Sequence, residues 1–196
     1  MPVIKNSLSE KYFDEVYCAN TDPWNFEGSD YERAKYAVTI NALTKPMYHN
    51  VFEIGCSIGV LSEMLVKKCE KLLAVDAVDA PLIQARHRLK AYPNVQIKRM
   101  TVPEDFGKEM YDLILISEVA YYLDDAGLEM LRKKTIGQLN KGGQLLMVHW
   151  TPQVHDYPQT GDYVNDYFLE LDKKELKHLH QQKHETYRLD LFEKIN

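Results

Sequence analysis

Nine residues, Val51-Phe52-Glu53-Ile54-Gly55-Cys56-Ser57-Ile58-Gly59, hold the plainest chemical signal in the chain. A short apolar run ends in an acid, two glycines four apart follow, and an amphipathic segment covers residues 60–69. That order reads as strand, tight turn and helix. Glycine in the turn permits positive φ and lets a ligand lie against the main chain. The helix N-terminus offers unpaired N–H groups to the same ligand. A second apolar run, Leu72-Leu73-Ala74-Val75, ends in Asp76, twenty-one residues after Gly55. A carboxylate there can accept both hydroxyls of a ribose, so turn and acid together point to a nucleoside ligand.

The glycine spacing excludes a dinucleotide. The fingerprint G-x-G-x-x-G begun at Gly55 needs glycine at positions 57 and 60, which are Ser57 and Val60. Glu53, two residues before the first glycine, would also repel a pyrophosphate. It suits a ligand with a cationic end. S-adenosylmethionine has a sulfonium, an ammonium and a ribose but no phosphate. Cys56 reads as a small filler inside the turn, and Ala77 follows the ribose acid.

The flanking sequence alternates strands and helices. Strands are predicted at 95–100, 112–117 and 144–150. Helices are predicted at 79–91, with Asp79 as cap and Pro81 in the first turn, and from Asp124 or Asp125 to Leu139. Asn140-Lys141-Gly142-Gly143 is the expected stop of the second. Near-continuous apolar strands alternating with helices imply a parallel sheet covered on both faces, with ligands beyond the strands' carboxyl ends. Asp76, Thr101, Val102, Ser117, Glu118 and His149 fall at such ends. Residues 176–182 and 186–194 read as a C-terminal antiparallel hairpin. The first 45 residues form a helical cap with helices at 8–17 and 31–43, and residues 46–196 form the core of one domain.

The 196 residues carry a formal net charge of −5 and no basic stripe, which argues against nucleic acid as partner. No apolar run approaches the ~20 residues that cross a bilayer, and the opening Met-Pro-Val-Ile-Lys-Asn-Ser has no apolar signal core. Cys18, Cys56 and Cys69 are widely spaced and odd in number, which predicts reduced thiols and a cytoplasmic protein. No metal site is expected: His178 and His180 share a strand face without an acid partner and are assigned to solvent.

Glu53-x-Gly55-x-Ser57-x-Gly59 resembles motif I of the class I S-adenosylmethionine-dependent methyltransferases, with Ser57 in place of the middle glycine. Further signatures are Asp22-Pro23-Trp24-x-Phe26, Ser29-x-Tyr31-Glu32-Arg33-x-Lys35-Tyr36, Ser117-Glu118-Val119-x-Tyr121-Tyr122-Leu123, Val148-His149-Trp150 and Asp156-Tyr157-Pro158-x-Thr160-Gly161-Asp162. With Tyr187-Arg188-Leu189-Asp190-x-Phe192-Glu193 they make the chain similar, over nearly its whole length, to the NodS-like nodulation N-methyltransferases. That resemblance implies a Rossmann-like, mostly parallel seven-stranded sheet. It also implies methyl transfer from S-adenosylmethionine to a free amine, as on a deacetylated chitooligosaccharide or another amino sugar. The expected state is a monomer or weak homodimer.

An amine acceptor must lose a proton before it can attack, so a base near the strand ends is expected. Glu118, Tyr121 and His149 are the candidates, His149 because imidazole titrates near neutral pH; its other reading is a core histidine. Arg33 is assigned to the cofactor's methionine carboxylate, since guanidinium matches carboxylate geometry, or else to a surface pair with Asp30 or Glu32. Trp24 and Tyr36 are expected to close over the cofactor, or Trp24 to staple the cap to the core; Glu104 and Asp105 come slightly late in the chain for the adenine amine, and His155, Asp156 and Asp162 are expected in a substrate-contacting loop. O-methyl transfer to a small molecule, and a non-catalytic S-adenosylmethionine-binding module, are the alternatives; an acceptor panel separates them.

Overall fold

The computed structural model describes residues 5–196; the first four residues of the segment read as lacking a signal core lie outside them. The cap holds α1 (Glu10–Ala19) and α2 (Asp30–Asn41). The core follows as β1 (Tyr48–Ile54), α3 (Val60–Leu65), β2 (Cys69–Asp76), α4 (Asp79–Arg88), β3 (Val95–Arg99) and β4 (Tyr111–Ser117). Then come α5 (Asp125–Gln138), β5 (Leu139–Trp150), α6 (Gly161–Leu169), β6 (Leu176–Lys183) and β7 (Tyr187–Lys194).

The seven strands pair in the order β3-β2-β1-β4-β5-β7-β6. All pairs from β3 to β5 are parallel, whereas β7 runs antiparallel to both β5 and β6. The predicted fold class, including the C-terminal hairpin, is therefore present. The order reverses between β1 and β4, and the crevice over their carboxyl ends is where an α/β sheet binds ligands.

Period-two alternation explains why the strands read as unbroken apolar runs. Phe52, Ile54, Ile114, Ile116, Leu145 and Met147 pack on the face covered by α5 and α6. Val51, Leu113, Leu115, Leu146 and Val148 pack on the opposite face with the α2, α3 and α4 side chains. A side chain of this size contributes ~1.5–3 kcal/mol when wholly buried, so the sheet is fixed from both sides.

Three elements differ from expectation. The helix predicted over 60–69 is only α3 plus a 3₁₀ turn, Val66–Lys68, because Cys69 already pairs with Tyr48 in the sheet. Asn140-Lys141-Gly142-Gly143 does not stop α5 as a cap. Leu139 pairs with Tyr111, and the glycines lie in β5 opposite a register shift between Tyr111 and Leu113. Helix α6 was not foreseen; Thr160 caps it, accepting from the Tyr163 N–H at 3.2 Å. The capping threonine stands after a Tyr-Pro turn that hides the helical start.

Candidate active site

The switch point opens into a cavity of about 570 Å³, within the ~300–1,000 Å³ typical of small-molecule sites. One end is built from the β1–α3 turn. Gly55 adopts φ +82°, and a Cβ there would lie 2.1 Å from Val119 Cγ2. Its N–H and that of Cys56 both donate to Val75 O at 2.9 Å, which ties the turn to β2. Asp76 closes the other side of this end: its carboxylate accepts the Ser57 N–H at 3.0 Å and the Val78 N–H at 3.4 Å. Burial pushes the Asp76 carboxyl up to about 6, despite the main-chain N–H groups that oppose this. Ser57 also shares a 2.6 Å hydrogen bond with the hydroxyl of Tyr17 on α1.

Ala77, Thr101, Val102, Ser117 and Trp24 line the cavity, as do Gly55, Ser57 and Asp76. Glu53, Cys56 and Gly59 do not; they support the turn from behind. Glu53 is wholly buried with Oε2 unpartnered, and burial pushes its carboxyl up to about 7, offset in part by the nearby Ser62 hydroxyl. Cys56 is buried, and burial holds its thiol well above the ordinary range, so it is no nucleophile. Gly59 turns left-handed (φ +80°) into α3 where a Cβ would press on Ala85.

The opposite end is built from side chains of the cap and of the β4 and β5 ends. Lys35 Nζ lies buried between Glu32, at 2.9 Å, and Glu118, at 2.7 Å. Burial opposes the lysine's charge, but the two carboxylates outweigh it and hold Lys35 above its ordinary value. Glu118 itself has φ +59° and takes two more donors, the Tyr121 hydroxyl at 2.8 Å and the Trp150 N–H at 2.7 Å. Tyr157 stacks on Tyr121 at 5.1 Å and meets Tyr122 edge-on at 4.8 Å. Burial keeps the phenols of Tyr121 and Tyr122 well above their ordinary range, so they are neutral. A net acidic group beside an aromatic wall suits a hydroxylated, cationic small molecule.

Arg33 and His149 lie elsewhere. Arg33 is half exposed and pairs with Asp30 on the outer face of α2, away from the cavity; the helical period sends Glu32 and Lys35 inward and position 33 outward. His149 is completely buried behind the sheet end and does not line the cavity. Its Nδ1 bonds Asn165 Oδ1 at 2.7 Å, Asn165 donates on to Asp190 at 2.7 Å, and burial lowers the imidazole's proton affinity. It is a buried histidine packed at 5.5 Å from the Tyr121 ring, outside the cavity lining.

The loop after β5 contributes Val154 and Tyr157 rather than His155, Asp156 or Asp162; Asp162 belongs to α6 and pairs with Lys183. Tyr36 is buried beside Phe26 and does not line the main cavity. Glu104 lines the rim, whereas Asp105 turns to the Thr101 N–H at 2.9 Å. His178 has an acid partner after all, Asp190 at 2.8 Å, because a register shift after it separates its face from that of His180. Lys35, Glu32, Tyr17 and Tyr157 are among the cavity residues to which sequence reasoning assigned no role. The i, i+3 spacing of the first two was the available signal.

The profile of the nodulation protein S (NodS) family matches residues 10–147. The chain belongs to the NodS family. It is 30% identical to nodulation protein S of Rhizobium tropici over 130 residues, which are 65% of this chain and 55% of that protein. The chain spans about half the length of the curated relatives it matches. The N-methyltransferase NodS of Bradyrhizobium japonicum WM9, solved with S-adenosyl-L-homocysteine, superposes with a TM-score of 0.85 at 21% identity, covering 95% of this chain and 98% of that one. A candidate methyltransferase of Pseudomonas syringae is 31% identical with a TM-score of 0.73, covering 84% of this chain and 99% of that one. The fold is thus that of the class I methyltransferases, as the family resemblance implied.

Proposed function

We propose that this protein is an S-adenosylmethionine-dependent methyltransferase acting on a free amine of a small molecule, an amino sugar or chitooligosaccharide being the leading acceptor. The observation that carries this is a single cavity joining the Asp76 turn to the Glu32–Lys35–Glu118 cluster. The first end fits the cofactor's donors. Among the described residues Asp76 takes main-chain N–H donors, from Ser57 and Val78, and its remaining lone pairs suit the two ribose hydroxyls. The Gly55–Ser57 backbone would hold the methionine portion, and Thr101 and Val102 would flank the adenine. The cofactor supplies an already activated methyl group, so orientation and water exclusion by this chain account for much of the rate.

The second end fits the acceptor. Carboxylates outnumber the ammonium there, which favours a cationic amine, and the tyrosines offer ring faces to a sugar. NodS of Bradyrhizobium japonicum is an N-methyltransferase, which agrees with this polarity. Cys18, Cys56 and Cys69 are free thiols, consistent with a reducing, cytoplasmic setting. The test is transfer from S-adenosylmethionine to chitotetraose bearing one free amine on its non-reducing glucosamine, followed by product mass. A gain of one methyl is expected, with none on the fully N-acetylated control. A gain on that control instead would give the protein to O-methyl transfer.

A further inference from the structure

We propose that Glu32, on the cap helix, is the group that takes the proton from the acceptor ammonium, and that Lys35 makes room for it by leaning on Glu118. The inference rests on the amine-methylating reading above and names a residue that reading leaves open.

Among the other titratable groups along the cavity, Glu104 stands at the rim, and the following are engaged. Asp76 belongs to the turn end with its main-chain donors. Glu10 is bound by Arg99 and Thr101. Glu118 already accepts from Lys35, Tyr121 and the Trp150 N–H, donors on three separate segments. Tyr121, Tyr122 and Tyr157 are neutral phenols, since burial raises all three. His149 is outside the cavity.

Glu32 differs in its partners. It follows Ser29 at the spacing of a capping box, in which the acid would reach back to the cap's N–H. Here the Ser29 N–H donates to Asn25 O at 3.0 Å instead, and the Glu32 carboxylate turns to Lys35 and the cavity wall. Among the described residues only Lys35 pairs with it as a charge. The groups facing it are Lys35 and Tyr36 from its own helix and Glu118 from the β4 end. Burial comes first among the influences on Glu32 and Lys35 opposes it, with Glu118 adding repulsion; the outcome is a carboxyl with raised proton affinity, nearer that of an amine.

The step balances simply. The ammonium N–H bond breaks, its electron pair stays on nitrogen, and the proton forms an O–H bond on Glu32. The cluster's charge changes from one net negative to neutral, and Lys35 keeps its 2.7 Å bond to Glu118 throughout. A free amine is left facing the cavity, and the Glu32 proton later returns to solvent.

The test uses the full-length protein, its E32Q variant and the amine-bearing chitotetraose. Glu32→Gln is expected to lower kcat at pH 7 by ~10²–10⁴-fold, the usual worth of a positioned base. Turnover should recover as pH rises toward the amine's own ionisation, with the affinity for S-adenosylhomocysteine unchanged. Independently of turnover, with S-adenosylhomocysteine bound, adding the oligosaccharide amine to protein carrying ¹³C-labelled glutamate should move one carboxyl resonance to its protonated position. That resonance should be missing in E32Q. An unchanged pH profile in E32Q, or no carboxyl resonance in the wild type that moves when the amine is added, would overturn the proposal. Weakened S-adenosylhomocysteine binding in E32Q with an unshifted pH profile would give Glu32 to the cofactor's amino group, which also overturns it. Failure of the wild type to methylate any amine would instead strike the functional reading on which the proposal rests.

Discussion

The two ends of the cavity are built by different means. The turn end is made of backbone: Gly55 at φ +82°, two N–H groups on Val75 O, and one carboxylate held by main-chain donors. The cap end is made chiefly of side chains, from α2 and the β4 end, joined by an ion cluster around Lys35 and anchored by one main-chain N–H of β5. A backbone site is rigid, recognises one ligand and tolerates few residue types. A side-chain site can be retuned by substitution.

The difference can be broken first at Gly55. Gly55→Val would put its Cβ into Val119 and force a branched residue to positive φ, which costs ~1–3 kcal/mol of backbone strain before the clash is counted. Urea denaturation should show the loss, and calorimetry should find no binding of S-adenosylhomocysteine. Glu118→Ala strikes the other end. It leaves Lys35 with one carboxylate and the Trp150 N–H and Tyr121 hydroxyl without their acceptor, for an expected ~3–5 kcal/mol of destabilisation in the same assay.

Asp76→Asn should be milder in stability and specific in function. It should weaken S-adenosylhomocysteine binding by about ten- to hundred-fold, the worth of ~1.5–3 kcal/mol for hydrogen bonds to a charged group. In the wild type that binding should also strengthen as pH rises through about 6, where Asp76 ionises, and D76N should lose this dependence.

Glu53 gives a pH signature in stability. Its carboxyl is raised from 4.5 to about 7 in the folded state, so the native protein holds the proton more tightly than the unfolded chain. Its contribution to stability is full below about pH 4.5 and is lost as pH rises through about 7. Glu53→Gln should flatten the denaturation midpoint across that window while leaving the cavity lining intact. The smallest expected effect is at α6: Thr160→Ala should cost about 1 kcal/mol through the lost cap, with no change in ligand binding.

Legibility in the sequence follows the same division. The turn end depends on glycine, an acid and strand-length apolar runs, which are local patterns, and so the placing of Gly55, Ser57, Asp76, Ala77, Thr101 and Ser117 along one cavity was legible. The sheet was readable because period-two burial on both faces leaves near-continuous apolar runs. The cap end depends on which face of α2 turns inward, and the weak amphipathicity around Lys35 does not reveal that. Arg33 had the better chemistry for a carboxylate, but the helical period carried it to solvent. His149 had the right titration range, yet its place behind the sheet end follows from α6, an element whose Thr160 cap was masked by the preceding Tyr-Pro turn.

The most direct test of the central claim, that the Gly55–Asp76 end holds S-adenosylmethionine, is calorimetric titration of the protein with S-adenosylhomocysteine, with NAD in parallel. Binding of S-adenosylhomocysteine alone, weakened by Asp76→Asn, is the predicted result. Binding of NAD alone, or S-adenosylhomocysteine binding indifferent to Asp76, would contradict it.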